Sequence, residues 1–300
     1  MPALTFSKWS PGGNTTLLFP DTGQRPAEQA RLAALALDAA LLGGEQAGFV
    51  NLGQAKLRMA GGEFCVNASR AVGALLAYTA QGACSDQGTL AGIAASPEQG
   101  TGVSGLTAER TDEIQVSGWR SPVRLRTRGS APLWQVEALL QLPTCAITTV
   151  AQGAHLVRLP GISHLLLGGP THPLPEDCYA AAAQMRQQHG LDADPAAGVI
   201  WWRECQGQLE MLPLVHVRDA GTTFLENACG SGALALALCL SRAGLRRTFS
   251  IMQPGGSALE IRLFTENGIE TAGVDGPVAL VARGKVWLPE PDAFTLPRQA

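Results

Sequence analysis

The chain has 300 residues, 46% of them hydrophobic, and a formal net charge of −3, a composition that describes a globular protein long enough for two ordinary domains. The weak negative charge excludes electrostatic capture of nucleic acid. The longest Ala/Leu runs are broken by Asp38, Gly43 and Arg242, which excludes a membrane-spanning segment.

In chain order, residues 3–9 and 15–19 read as two strands joined by a Pro-Gly-Gly-Asn turn. Pro26–Leu42 reads as a helix, with proline near its start and Gly43-Gly44 after its end. AGFVNL and KLRMAG read as strands leading to Cys65, which opens an Ala/Leu helix ending near Gly82. From Thr89 to Arg128, short alternating segments such as DEIQVSG and PVRLRTR predict antiparallel strands. GSAP, residues 129–132, is the expected link between domains. LWQVEALLQL, CAITTVA and AHLVRLP are predicted strands, followed by a helix over 175–189, strands in GVIWWREC and EMLPLVHVR, and a second Ala/Leu helix after Cys229. The tail alternates strands with glycine turns. Strands with one central helix in each half give an α+β layout.

The two cysteine-led helices carry the chemistry. Cys229-Gly-Ser-Gly stands before ALALAL, and Cys65-Val-Asn-Ala-Ser stands before an Ala/Leu run of the same kind. A helix start presents free N–H groups and partial positive charge. Such an end favours a thiolate and binds a carboxylate, so both thiols are expected to have lowered pKa values. The spacing of the pair suggests two similar halves. Two facing thiols with a carboxylate cradle suit inversion of a carbon. One thiolate removes a proton beside the carboxylate, and the other group, as a thiol, returns one to the opposite face. For each cysteine alone, packing at a helix start is the bland alternative. Seven scattered cysteines without CxxC spacing suit free thiols and a cytoplasmic location better than a disulfide framework. The opening MPALTFSKWS also lacks the pattern of a signal peptide. No His/Cys pair has zinc spacing, and none of the three lysines reads as a Schiff-base site, so neither metal nor cofactor is expected.

The sequence resembles the diaminopimelate epimerase-like family of cofactor-independent amino-acid racemases and epimerases. The family's Glu-x-Cys-Gly-Asn-Gly-x-Arg is similar to Glu63-Phe-Cys65-Val66-Asn67-Ala68-Ser-Arg70, and its Ala-Cys-Gly-Ser/Thr-Gly is matched by Ala228–Gly232. FSKWSPGGNTTLLF resembles the first strand and its Gly-Asn turn, which implies that Asn14 meets the substrate. PGISHLLL resembles the family's Gly-Asn-Pro-His segment, which implies the same of His164. The resemblance implies two similar barrel-like domains, each a mostly antiparallel sheet around a central helix, with the active site in the cleft between them. Residues 1–130 would carry Cys65, residues 131–279 would carry Cys229, and a strand within 280–300 would return to the first half. Cys65 and Cys229 would be the catalytic acid and base. Val66, Asn67, Ala68, Gly230 and Ser231 would bind substrate, mainly through backbone N–H groups. Glu226 would take the substrate ammonium or tune Cys229, although acids also favour helix starts for electrostatic reasons alone. The same holds for Glu63.

The departures bear on the substrate. Ile162-Ser163 stands where the epimerase has Asn before Pro-His, and its Glu-Arg run before the second cysteine is broken in VRDAGTTFLENAC. In that family the lost groups hold the far end of diaminopimelate, so a different amino acid is expected. Relatives of this profile include the histidine racemases that feed opine-type metallophore synthesis. Diaminopimelate epimerase itself, a dehydratase or isomerase, and a non-catalytic amino-acid binder are the alternatives on the same scaffold. A small amino acid is the expected partner, and a homodimer is left open.

Overall fold

Strands dominate the computed structural model, which describes residues 3–82, 109–242, 244 and 246–288. The first half contains β1 (Ala3–Pro11), β2 (Thr16–Pro20), α1 (Pro26–Leu37), β3 (Gln46–Asn51), β4 (Lys56–Met59), α2 (Val66–Ala80), β5 (Arg110–Val116), β6 (Val123–Ser130) and β7 (Leu133–Gln141). It is followed by β8 (Ala146–Ala151), β9 (Ala154–Leu159), β10 (Ile162–Gly168), α3 (Cys178–Gln188), β11 (Ala196–Cys205), β12 (Gln208–Val217) and β13 (Thr222–Leu225). The chain then forms α4 (Gly230–Arg242), β14 (Thr248–Met252), β15 (Ala258–Glu266) and the long β16 (Ile269–Trp287).

Strand pairing runs β1-β2-β3-β4-β5-β6-β7-β16 and returns from β16 to β1, which closes a ring of eight strands. The sheet continues from β16 through β15, β14, β12, β11, β10 and β9 to β8. Helix α2 packs against all eight strands of the ring and therefore fills it. Its sequence suits this place. Ala68, Ala71, Val72, Ala74 and Leu75 are buried all around the helix rather than along one stripe. Gly73 is needed for space, because a Cβ there would lie 2.9 Å from Val136 Cγ1 and 3.0 Å from Thr127 Oγ1. Each fully buried Leu or Val adds roughly 1.5–3 kcal/mol of apolar stabilisation. Helix α4 packs on β9, β10, β14, β15 and β16, and it touches α2.

Alternation sorts residues to the two faces of the strands. Leu18 and Val50 point to the core around α2, whereas Leu17, Phe19 and Phe49 point outward to Leu32, Ala33 and Ala36 of α1. Strand β10 runs parallel to β11 and is buried on both faces, as its near-continuous apolar sequence requires.

Several boundaries differ from expectation. Helix α1 ends at Leu37, not Leu42, because the Asp38 side chain accepts from Ala40 N at 2.7 Å and turns the chain. Helix α3 starts at Cys178 rather than 175, where the Asp177 side chain accepts from Ala180 N. Residues 129–132 form the turn of the β6–β7 hairpin, with Ser130 opposite Leu133. The strands expected from Thr89 lie outside the described residues as far as residue 108, as does Cys84; from residue 109 the expected antiparallel pair is β5 and β6. The other six cysteines are free thiols. Cys239, half-buried on α4, packs against the main apolar core. Among the described residues, no helix is long and apolar enough to cross a membrane.

Candidate active site

Helices α2 and α4 meet start to start. Cys65 is the N-cap of α2, in extended conformation, and its Sγ accepts from Ala68 N at 3.3 Å. Cys229 immediately precedes α4. Asn67 Nδ2 donates to Ala228 O at 2.7 Å and ties the two starts together. Gly230 permits the approach, since a Cβ there would lie 2.8 Å from Val66 Cβ and 3.1 Å from Asn67 Oδ1.

A small cavity of about 30 Å³ lies at this junction. Of the residues expected from the sequence, Cys65, Val66, Asn67, Glu226, Cys229, Gly230 and Ser231 line it. Three do not. Ala68 is fully buried, and its N–H is engaged by the Cys65 sulfur. Asn14 is fully buried and reaches the thiol through Gln46. His164 is fully buried on β10, with Nε2 3.0 Å from Ser231 Oγ, and Ser231 Oγ lies 3.7 Å from Cys229 Sγ.

Glu45, Gln46, Glu63, Phe64, Ile162, Val215 and Val217 complete the lining. Gln46 accepts from Cys65 Sγ at 2.9 Å, and its Nε2 donates to Asn14 Oδ1 at 2.7 Å and Thr16 Oγ1 at 2.8 Å. Glu45 accepts from Asn14 Nδ2, Thr15 N, Asn227 N and Asn227 Nδ2. It therefore joins the β1–β2 turn to the segment that leads into α4. Gln253 accepts from Cys229 N at 2.9 Å. Sequence reasoning missed Glu45, Gln46 and Gln253. Glu45-Gln46 follows Gly43-Gly44 and reads locally as a turn, so nothing short of the tertiary contacts marks it.

The thiols do not behave as expected. Both pKa values are raised, not lowered, and burial is the main cause. The Glu226 charge raises both further. First-turn N–H groups act in the expected direction, those of Asn67 and Ala68 on Cys65 and that of Gly232 on Cys229, but desolvation outweighs them. Burial also pushes Glu226 up to about 8, against the lowering effect of its hydrogen bond with Cys229, and Glu45 and Glu63 add to the rise. Glu63 is pushed up to about 7, again mainly by burial. Burial holds His164 down to about 3, so its imidazole is neutral near pH 7. Among the described residues, no group of three His, Cys, Asp or Glu side chains is placed to hold a metal ion.

These carboxyl groups predict how stability depends on pH. A carboxyl whose pKa is raised by folding keeps its proton where the unfolded chain has released it. Its stabilisation is complete below the unfolded value and is lost as pH rises through the folded one. Buried His164, held neutral, acts in the opposite sense below about pH 6.5, so the effect of the carboxyls stands alone above it: denaturation of the substrate-free protein should become easier from about pH 6.5 towards about 8. Glu226→Gln should flatten the upper part of that decline. Stability that rises across this window would contradict the assignment.

The family model described as the histidine racemase CntK N-terminal domain matches residues 3–287. The chain is 25% identical over 289 residues to a histidine racemase of Fusobacterium nucleatum subsp. nucleatum, covering 95% of this chain and 97% of that protein. It is 24% identical over 298 residues to a histidine racemase of Staphylococcus aureus, covering 95% and 98%. The structure is similar to a hydroxyproline epimerase from Agrobacterium vitis solved with bound trans-4-hydroxy-L-proline, with TM-score 0.64, 11% identity and coverage of 97% and 94%.

Proposed function

The chain belongs to the histidine racemase family described by that CntK N-terminal domain model, and from this premise we propose that it is an isomerase that inverts the Cα of histidine without a cofactor, using Cys65 and Cys229 as its two bases. The observation that carries this reading is that both thiols line one cavity at the meeting point of two helix starts. The proposed architecture is two barrel-like halves with the site in the cleft between them; because β7 and β16 close the ring around α2, the division falls after β7 rather than at residue 130, and β16 is the return strand.

In this reading the α-carboxylate lies against the first turns of α2 and α4. Their N–H groups stabilise the charge that grows as the Cα proton leaves. Glu226 takes the ammonium. The substrate ammonium, paired with Glu226, offsets the Glu226 charge that raises both thiols. One cysteine then acts as thiolate and the other as thiol, and the roles exchange with the direction of inversion. Asn14 and Gln46 hold Cys65, while His164 acts through Ser231 on the Cys229 side; both are positioning roles. The small cavity does not admit histidine, so in this reading the two walls part on binding and close to exclude solvent.

The test is incubation of the purified protein with L-histidine in D2O without added cofactor. Deuterium should enter Cα, seen by proton NMR, and D-histidine should accumulate on a chiral column. Efficient turnover of LL-diaminopimelate with no exchange into histidine would overturn the reading.

A further inference from the structure

Within the racemase reading, on which this inference rests, we propose that Glu63 is the acceptor for an N–H group on the substrate's side chain, so that the site selects a compact ring bearing a donor over an apolar ring of the same shape. Glu63 lies between β4 and α2, is 6% exposed and lines the cavity. Its Oε2 is buried and makes no hydrogen bond of good geometry among the described residues, although the backbone N–H groups of Glu63 and Gly61 lie close enough to favour the ionised carboxyl. A buried acceptor left bare is costly, and a ligand donor removes that cost.

The surroundings favour a ring over a flexible cation. A Cβ on Gly61 would lie 2.5 Å from Val217 Cγ1 and 2.8 Å from Glu63 Oε2, so that methyl group and that oxygen are neighbours. A Cβ on Gly161 would lie 3.0 Å from Phe64 N, which sets the segment of Ile162 against that of Glu63. Ile162, Val215 and Val217 thus supply apolar walls beside one bare oxygen. Among the described residues, no Lys or Arg lines the cavity. The charges that act on Glu63 are Arg58, which favours its ionised form, and Asp219, which opposes it. The pKa of about 7 lets the carboxylate form be reached near neutral pH, where it accepts an imidazole N–H. The thiols and Glu226 handle groups at Cα, which leaves Glu63 unused by the proton transfer.

The experiment compares kcat/KM for L-histidine and for L-3-(thiazol-4-yl)alanine, whose five-membered ring has no N–H. Wild type should favour histidine by at least about tenfold, because a polar site rejects an analogue that leaves its acceptor unpaired. Glu63→Met keeps the length and removes the acceptor. It should lower kcat/KM for histidine roughly 10- to 100-fold, mainly through KM, and change the thiazole substrate by less than about threefold. Glu63→Gln keeps one oxygen acceptor and should fall between. The wild-type comparison stands even if a variant folds poorly. Equal turnover of both rings by wild type, or equal losses on both in Glu63→Met, overturns the assignment and leaves the racemase reading intact. Failure of wild type to exchange either Cα proton overturns both.

Discussion

Cys65→Ala and Cys229→Ala should each abolish inversion at Cα, with losses of roughly 10²- to 10⁴-fold or more, the range for removal of a positioned acid or base. Neither cysteine can replace the other if they address opposite faces of one carbon. Serine should rescue little at either position, because a hydroxyl rarely ionises near neutral pH. The loss need not include every partial reaction. A variant with one surviving thiol can still exchange the Cα proton of one enantiomer, without completing the inversion. Chiral chromatography reads the full reaction, and Cα deuteration from each enantiomer reads the halves. Near wild-type inversion in either variant would reduce that cysteine to packing at a helix start.

Arg70→Ala should cost stability on the order of 4 kcal/mol, the combined scale of a core cavity and the loss of two hydrogen bonds from a charged donor. Arg70 is fully buried on α2. Its Nε donates to Val136 O and its Nη2 to Pro277 O, both at 3.0 Å. Those carbonyls belong to β7 and β16, the strand pair at the seam of the ring. Burial lowers this guanidinium to about 10, which measures how unfavourable its site is for a charge, yet it remains protonated at neutral pH. Alanine would empty the space and take the Arg70 donor from both carbonyls, although Pro277 O keeps the N–H of Gly12. Urea unfolding of wild type and variant checks this; a difference within about 1 kcal/mol would mean that the ring seam does not depend on the tie.

The site was legible where local chemistry is specific. Cys229-Gly-Ser-Gly before an Ala/Leu run marks a thiol at a helix start, and the parallel at Cys65 marks its partner; α2 and α4 begin where those patterns place them. Asp38 reads as a break in hydrophobicity but not as the end of the helix, because Ala39-Ala40-Leu41-Leu42 resume the helical pattern after it. Gln46, Glu45 and Gln253 carry no local signature, since each matters only through a neighbour distant in sequence. The direction of the thiol shifts was misread for a related reason. A helix start is visible in sequence, but the depth at which the fold buries it is not, and depth decides the sign here. Among strands, the alternating β5 and β6 were plain, whereas β16 was anticipated only as a short return strand and extends from Ile269 to Trp287.

That long strand sets the order in which the molecule can be assembled. β1 leaves the ribosome well before β16, yet one of its two edges pairs with β16, from Ala3 opposite Trp287 to Pro11 opposite Val278. At roughly 5–20 residues per second, synthesis leaves this edge unsatisfied for tens of seconds. Until then α2 sits in a ring with an open seam, and its apolar surface is available to chaperones or to other nascent chains. The contacts that finish the N-terminal half are the most non-local in the protein, the kind that slows folding. A chain interrupted before β16 therefore forfeits the housing of Cys65, although the two lie towards opposite ends of the sequence.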